Sequence, residues 1–261
     1  MDTVKSAQRT LEVLNLLTAR EEPMSFTGLA VSLGFPRSSL HGLLTTLTDS
    51  GWLRYDELAR SYTLGIRALE AGNAYVRSLD LPSRAQPTIT SVRDELNETV
   101  QVSVLDGRFN VYVAKVDGGQ ALRLASEVGR RLPAHATGLG KVLLAYLPVE
   151  EVNRRFASLS LEKFTDKTIC TLPALRSSLT AIRAAGYGTD NEEYSIGVRC
   201  VAVPVRDHSG EVVAAMSVSA PTIRFERPRR RRALELLFQA ADELSRELGY
   251  DADAIRLRGV V

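Results

Sequence analysis

The sequence predicts an α+β fold in which a small helical domain ending in a hairpin precedes a larger domain with a largely antiparallel sheet. Within the first sixty-odd residues, leucines at helical spacing are followed by two short aromatic and apolar segments. Beyond about residue 85, apolar segments joined by Asp-Gly turns are interleaved with helical patterns, without the strict alternation typical of a parallel sheet. The length of 261 residues fits one or two domains.

Composition excludes several classes of protein. Hydrophobic residues make up 44% and charged residues 25% of the chain, which is globular composition and rules out collagen and disordered tails. The two cysteines, Cys170 and Cys200, are too few for a disulfide framework and predict a reducing compartment. There is no run of about 18 apolar residues and no apolar signal core at the N-terminus, so we expect a cytosolic protein with no membrane contact.

Three helices and a hairpin are predicted in the small domain. Apolar residues at helical spacing mark the first helix over residues 11–17. The second helix begins with Thr27 as its N-cap and ends at Gly34. Pro36 opens the third helix, as a first-turn proline does. Two short segments within residues 52–64, joined by a polar turn, predict a hairpin.

A helix, a short turn, a second helix and a hairpin form the pattern that lays a helix in the DNA major groove. The first 67 residues carry seven basic and seven acidic residues, but no acidic residue lies between positions 26 and 48. Arg37 is the best candidate for a base contact, because a guanidinium can fork onto guanine, and Arg54 and Arg60 would face phosphates. The exposed face of the third helix offers Arg37, Ser38, Ser39, His41 and Thr45, of which the first four are the candidate DNA contacts. The alternative is a small helical domain whose polar face is only solvated.

The larger domain is predicted to begin after a helical stretch from Ile66 and a joint at Leu81-Pro82. Its helices are predicted over residues 85–96, 140–147, 150–157, 174–185 and 229–248, and its strands over residues 100–105, 110–116, 121–125, 198–205 and 212–219. Gly186 is expected to end the fourth of these helices.

A glycine-rich loop enters a helix within residues 133–142. Backbone N–H groups near Gly138 and Gly140 could hold an anion there, and the alternative is a tight turn without a ligand. The segment is not a P-loop, because Val142 stands where a hydroxyl side chain would contact magnesium.

An acidic loop over residues 190–193 and a basic run over residues 227–232 are the remaining charged motifs. The acidic loop is not predicted to hold a metal, since only His135 offers an imidazole and no ligand spacing accompanies it. Cys200, within an apolar strand, is by default a small core residue. The basic run could bind nucleic acid, but it leads into an amphipathic helix, which favours a solvated surface.

In their order along the chain these segments resemble the isocitrate lyase regulator (IclR) family of bacterial transcription factors. The most specific stretch is HATGLGKVLLA at residues 135–145. The segment LGFPRSSLH at residues 33–41 is similar to the family's recognition segment, and residues 51–65 are similar to its wing. Matches at residues 186–202 and 217–221 extend the resemblance over nearly the whole chain.

The resemblance implies a winged helix-turn-helix domain over residues 1–65, a linker helix over 66–84, a GAF-like effector-binding domain over 85–250 and a tail over 251–261. Its implied partners are a double-stranded DNA operator and a small-molecule effector, with no cofactor, no metal and no catalytic residue. It implies dimers joined through the DNA-binding domains, often paired into tetramers through the effector domains. Arg9, in the stretch that matches the family's first helix, joins the candidate DNA-binding residues.

The resemblance also implies an effector pocket. Its expected residues are Gly138, Leu139, Asp190, Cys200, Ser217 and Ser219, with apolar walls from Leu124, Leu132 and Val198. The N–H groups of the glycine turn and the two serine hydroxyls could hold a carboxylate or carbonyl, and Asp190 could accept a hydrogen bond from a ligand hydroxyl or N–H. These groups predict a small organic or aromatic acid as effector.

Three positions depart from the family pattern. Gly42 stands where the family usually has arginine, which removes a contact with DNA and places a helix-weakening residue in the third helix. Leu139 stands where a small residue is commoner and reshapes the pocket, and Gly28 replaces a usual acid in the second helix.

The leading hypothesis is therefore a ligand-responsive DNA-binding transcriptional regulator that represses a local catabolic operon. Two alternatives remain open. One is a metabolite sensor whose helical domain binds a protein. The other is an enzyme whose site uses Asp190, Cys200 and His135, although nothing in the sequence places a base beside that thiol.

Overall fold

The structure is a computed structural model that describes residues 4–20, 22–78, 81–120, 126–157 and 160–251. The chain divides into two compact units, Met1–Leu79 and Asp80–Val261. No helix among the described residues is long and apolar enough to cross a membrane.

The N-terminal unit consists of four helices and a small antiparallel sheet. Its elements are α1 (Lys5–Thr18), β1 (Met24–Ser25), α2 (Phe26–Leu33), α3 (Arg37–Asp49), β2 (Leu53–Asp56), β3 (Ser61–Leu64) and α4 (Ile66–Ser78). The sheet has the order β1-β3-β2, so β3 is central. Helices α1, α2 and α3 face one core of fully buried side chains that includes Val13, Leu29, Leu40 and Leu44. The helix-turn-helix followed by a hairpin is confirmed.

The ends of α2 and α3 follow from local chemistry. Ser25, not the predicted Thr27, caps α2, because its side chain accepts a hydrogen bond from the backbone N–H of Gly28 at 3.1 Å. Gly34 ends α2 with a φ of 64°, a conformation that glycine adopts without strain. Pro36 is the N-cap of α3 and precedes its first turn.

The C-terminal unit is built on a six-stranded sheet. Its elements are α5 (Leu81–Leu96), β4 (Thr99–Asp106), β5 (Phe109–Val116), β6 (Arg131–Pro133), α6 (Gly138–Ala145), α7 (Val149–Phe156), α8 (Leu172–Ala185), β7 (Gly188–Asn191), β8 (Val198–Arg206), β9 (Val212–Pro221) and α9 (Arg227–Glu247). The sheet order is β6-β5-β4-β9-β8-β7, and every pairing is antiparallel. The predicted α+β class and antiparallel sheet are confirmed.

Helices cover both faces of this sheet. From Ala214 to Pro221 every residue of β9 is buried, and successive strand residues point to opposite faces, so both faces are covered. Helices α5 and α9 pack against each other and the sheet, whereas α6 packs against the sheet and α8.

The structure adds detail to several sequence predictions. Leu81 and Pro82, predicted as the domain joint, are buried residues of the first turn of α5 and directly follow the division between the two compact units at Leu79 and Asp80. The short strands β6 and β7 were not predicted. The strand predicted over residues 121–125 lies outside the described residues. The proposed domain limits at 65 and 84 stay predictions.

Candidate functional site

A cavity of about 250 Å³ lies between one face of the large sheet and the start of α6. Seven residues expected from the sequence line it, namely Leu132, Leu139, Asp190, Val198, Cys200, Ser217 and Ser219. Leu124, also expected there, lies outside the described residues. Seven further lining residues were not anticipated, namely Gln101, Tyr112, Ser126, Arg130, Thr137, Tyr194 and Ser195.

The strand register brings the polar lining residues together. Asp190 on β7 pairs with Cys200 on β8, which pairs in turn with Ser219 on β9. Ser217, two residues before Ser219 and therefore on the same face, pairs with Gln101 on β4. Residues up to 118 positions apart in the chain thus share one patch of the sheet.

The carboxamide of Gln101 organises the serines. Its Oε1 accepts hydrogen bonds from the hydroxyls of Ser217 at 3.2 Å and Ser219 at 3.0 Å. Its Nε2 donates to the hydroxyl of Ser126 at 3.0 Å. All four side chains are buried, so the whole polar group lies away from bulk water.

Asp190 is the acidic residue of the cavity wall. Its Oδ1 accepts a hydrogen bond from the backbone N–H of Glu193 at 2.6 Å. Burial raises the pKa of this carboxyl to about 7, and the nearby Glu193 carboxylate adds to the effect, whereas the backbone N–H of Glu193 opposes it. Behind it, the ammonium group of Lys141 forms a buried ion pair with Glu193. At neutral pH, Asp190 is therefore divided between an acceptor and a donor form.

The surroundings of the Cys200 thiol keep it in the protonated form, which is a poor nucleophile. Burial, together with the nearby Asp190 carboxylate, raises the pKa of Cys200 to about 12, so the thiol is protonated at physiological pH. Gly138 packs against it, since a Cβ atom at Gly138 would lie 2.5 Å from the Cys200 sulfur. Gly138 was expected to line the cavity, but its neighbours Thr137 and Leu139 do so, because Gly138 packs against Cys200 instead.

The start of α6 is fixed by Thr137. Its hydroxyl accepts a hydrogen bond from the N–H of Gly140 at 3.1 Å and donates to Oδ1 of Asn110 at 2.7 Å. Gly140 has no room for a side chain, because a Cβ atom there would overlap the backbone of Ala134. This close approach holds the start of α6 beside the cavity, which Thr137 and Leu139 line.

The outer face of α3 in the N-terminal unit displays the candidate DNA-binding side chains. Arg37, Ser38 and His41 are exposed. The guanidinium of Arg37 lies 5.5 Å from the centroid of the Phe26 ring, which in turn meets the His41 ring edge-on at 6.4 Å. Gly42, beside them, is exposed and has no neighbouring atom within 4 Å of a would-be Cβ. The face therefore remains open to a partner.

The other candidate DNA-binding residues lie on α1 and on the hairpin, and they differ in exposure. Arg9 of α1 is half-buried, donates to the Ser39 hydroxyl at 2.9 Å and stacks 5.0 Å from the Phe35 ring centroid, so its guanidinium braces the start of α3. Arg54 and Arg60 on the hairpin are exposed. In the hairpin turn, Oδ1 of Asp56 accepts hydrogen bonds from two backbone N–H groups, at 3.0 and 2.9 Å.

Known proteins match both units of the chain. The IclR helix-turn-helix domain matches residues 6–57, and the description "Bacterial transcriptional regulator IclR C-terminal" matches residues 73–246. The chain belongs to the IclR family. This IclR-type chain is a DNA-binding transcriptional regulator, and the resemblance inferred from the sequence is confirmed.

Individual IclR-family proteins are similar over almost their full length. The HTH-type transcriptional regulator XynR of Escherichia coli is 37% identical over 97% of this chain and 100% of its own. The transcriptional repressor IclR of Escherichia coli is 30% identical over 94% of this chain and 90% of its own. A crystal structure of an IclR homologue from Microbacterium hydrocarbonoxydans, complexed with 4-hydroxybenzoate, has a TM-score of 0.81 at 23% identity, covering 94% of this chain and 99% of that one. At 23% identity, the similarity to this crystal structure shows a shared fold and nothing about the ligand of this chain.

The geometry of this IclR-family chain offers little support for the enzyme hypothesis. His135 does not line the cavity and bonds through Nε2 to the backbone oxygen of Glu162 at 3.0 Å, between the rings of Phe156 and Phe164. Burial lowers the pKa of His135. Within the described parts of the chain, no group of three or more His, Cys, Asp or Glu residues could hold a metal.

Proposed function

We propose that this IclR-family regulator represses a nearby catabolic operon and releases its operator when a small organic or aromatic acid binds in the cavity. The observation that carries the proposal is the combination of a cationic side chain, Arg130, with hydroxyls, an acidic residue and apolar walls around one cavity in the unit that does not hold the helix-turn-helix. Such a mixture is typical of small-molecule sites.

The acid group has suitable partners in the cavity lining. Arg130 is exposed at the cavity and can fork onto a carboxylate. The first turn of α6, with Leu139 at the cavity, offers the positive end of a helix dipole. Burial raises the pKa of Tyr112, so its phenol stays a hydrogen-bond donor. The apolar walls formed by Leu132 and Val198 would cover the carbon skeleton.

The proposed DNA contacts are Arg37, Ser38, Ser39 and His41 of α3, with Arg9 bracing that helix and Arg54 and Arg60 meeting phosphates. We further propose a cytoplasmic regulator without catalytic activity that forms dimers or tetramers, which sedimentation would measure directly. If the acid binds one arrangement of the assembly more tightly than another, its binding shifts the population toward that arrangement. The affinity for the operator then changes by linkage.

The decisive experiment combines calorimetry and gel shift. Wild-type protein is titrated with a panel of organic and aromatic acids, and the best ligand is added to a gel shift with the DNA upstream of its own operon. We expect saturable binding that falls in Ser219→Ala and Arg130→Ala, and loss of the shifted band on adding the ligand. Unchanged binding in both variants would place the effector elsewhere, and the absence of any preferred DNA sequence would refute the regulatory role.

A further inference from the structure

Ser217 and Ser219 do not present hydroxyl hydrogens to the cavity. Each donates to Oε1 of Gln101, at 3.2 and 3.0 Å, and the Gln101 side chain is only 1% exposed. The sequence-based expectation was that these two hydroxyls donate to a ligand carboxylate. A hydroxyl has a single hydrogen, so once both are donated to Gln101 the serines offer only lone pairs to a ligand.

The geometry around Gln101 fixes this arrangement from both ends of the carboxamide. A carbonyl oxygen accepts two hydrogen bonds, and the two serines of β9 fill both positions. At the other end, Nε2 donates to the hydroxyl of Ser126 at 3.0 Å. Gln101 and Ser217 are also direct partners in the β4–β9 pairing, so the backbone holds the carboxamide against the serines.

We propose that Gln101 is a specificity-determining residue that holds Ser217 and Ser219 as hydrogen-bond acceptors, so that the cavity selects an acid that also carries a hydroxyl donor. This inference rests on the proposed function and narrows its ligand class. A carboxylate facing the two serines would set acceptor against acceptor in a buried site, which costs free energy without a compensating hydrogen bond. The acid group therefore belongs at Arg130 and α6, and the ligand hydroxyl at β9.

The inference is tested by calorimetry with two matched pairs of probes. The pairs are 4-hydroxybenzoate with 4-fluorobenzoate and 3-hydroxybutanoate with butanoate, in which the partner lacks the hydroxyl group. For the wild-type chain we expect at least one hydroxy acid to bind about tenfold or more tightly than its partner, which is the usual effect of one buried hydrogen bond.

Variants of Gln101 separate its role from simple packing. Gln101→Met has nearly the same volume but is only a weak hydrogen-bond acceptor, so the serine hydroxyls become free to donate to a ligand and the preference for the hydroxy acid should fall to about twofold or less. Gln101→Glu still accepts from both serines and should keep the preference, while its charge weakens every acid. The matched control is Ser103→Ala, a buried change two residues further along β4 at a position that is not part of the cavity lining, which should keep the preference of the wild type.

The outcomes are distinct. Equal binding of hydroxy acids and their partners by the wild-type chain overturns the role of Gln101 but leaves the effector cavity intact. A preference that survives in Gln101→Met overturns it as well. If Gln101→Met does not fold, loss of the preference in Gln101→Glu is the contradicting result. Binding of none of the four acids overturns the proposed effector class and this inference together.

Discussion

Lys141 and Glu193, which are 52 positions apart in the sequence, form an ion pair in which the lysine side chain is 3% exposed. The pair joins α6 to the loop after β7, and the same glutamate donates its backbone N–H to Asp190 at the cavity wall. The cavity therefore depends on a charged contact that lies behind its surface.

Lys141→Met is expected to destabilise the C-terminal unit by about 3 to 5 kcal/mol, because it leaves the buried Glu193 carboxylate without its cation. Urea denaturation followed by circular dichroism measures this change. The matched control is Lys167→Met, which breaks the Lys167–Glu192 pair at a lysine whose side chain is 50% exposed and should have little effect. Similar losses in the two variants would contradict a special role for the buried pair.

Asp190 predicts a pH dependence of folding. Its pKa in the folded chain, about 7, lies above its ordinary value of 3.8, so ionisation favours the unfolded chain. The stability contributed by the protonated form is complete below about pH 4 and is lost as the pH rises to about 7. Asp190→Asn, which keeps the oxygen that accepts from Glu193, removes this loss. The neighbouring charges of Lys141 and Glu193 remain in both proteins.

We therefore expect the stability advantage of Asp190→Asn over the wild type to grow by about 2 to 3 kcal/mol between pH 5 and pH 7, since one pH step corresponds to about 1.4 kcal/mol. It should level off above about pH 8. Urea midpoints at a series of pH values provide the measurement. A constant difference between the two proteins across this range would show that Asp190 does not titrate there.

Replacing Gly42 by alanine should stabilise the protein. It lies in the middle of α3, is exposed and has free space where a Cβ would stand, so Gly42→Ala should stabilise the N-terminal unit by about 1 kcal/mol. Trp52 is the single tryptophan of the chain and lies in this unit, so its fluorescence reports the transition. By contrast, Gly140→Ala should destabilise the C-terminal unit, because its Cβ would overlap the backbone of Ala134. Equal effects of the two alanines would contradict this distinction.

Replacing Arg37 and replacing Arg54 should affect DNA binding differently, because one is expected to contact a base and the other a phosphate. Arg37→Ala is expected to lower operator affinity by about 1 to 3 kcal/mol and relax preference at one base, because its exposed guanidinium lies on the outer face of α3. Arg54→Ala should weaken binding to all sequences alike and reduce the salt dependence by about one charge. Gel shifts at several salt concentrations distinguish these results, and identical behaviour of the two variants would remove Arg37 from the base contacts.

Longer elements were predictable because their patterns are local. Leucine spacing located α1 and α3, and helix ends at Gly34 and Gly186 were expected from glycine, which in both places has positive φ. The two-residue β1 could not be predicted, since so short a strand leaves no alternation and exists only through its pairing with β3. Strand β7, with the sequence GTDN, has only Thr189 as a strand-forming residue and is set by its pairing with β8.

The sequence predicted many of the residues that line the cavity, but not which of their hydrogen-bonding groups face a ligand. The family resemblance located Ser217 and Ser219, yet the partner that accepts their hydrogen bonds lies on β4, more than a hundred positions earlier. Only the strand register brings Gln101 there, and its single polar side chain between Val100 and Val102 was the sole signal. Arg130 stands in a loop, where no periodicity indicates which way a side chain faces.

The two-residue strand β1 bears on the spacing of the proposed DNA contacts. Met24 and Ser25 pair with Tyr62 and Ser61 of the hairpin, and Ser25 also caps α2. The hairpin is thereby joined to the helix pair at one point, which limits how far it can move relative to α3. If α3 contacts base edges and the hairpin contacts phosphates, as proposed, the two contacts fall at one set spacing along the duplex, and one base pair inserted between their positions would leave only one of them in register.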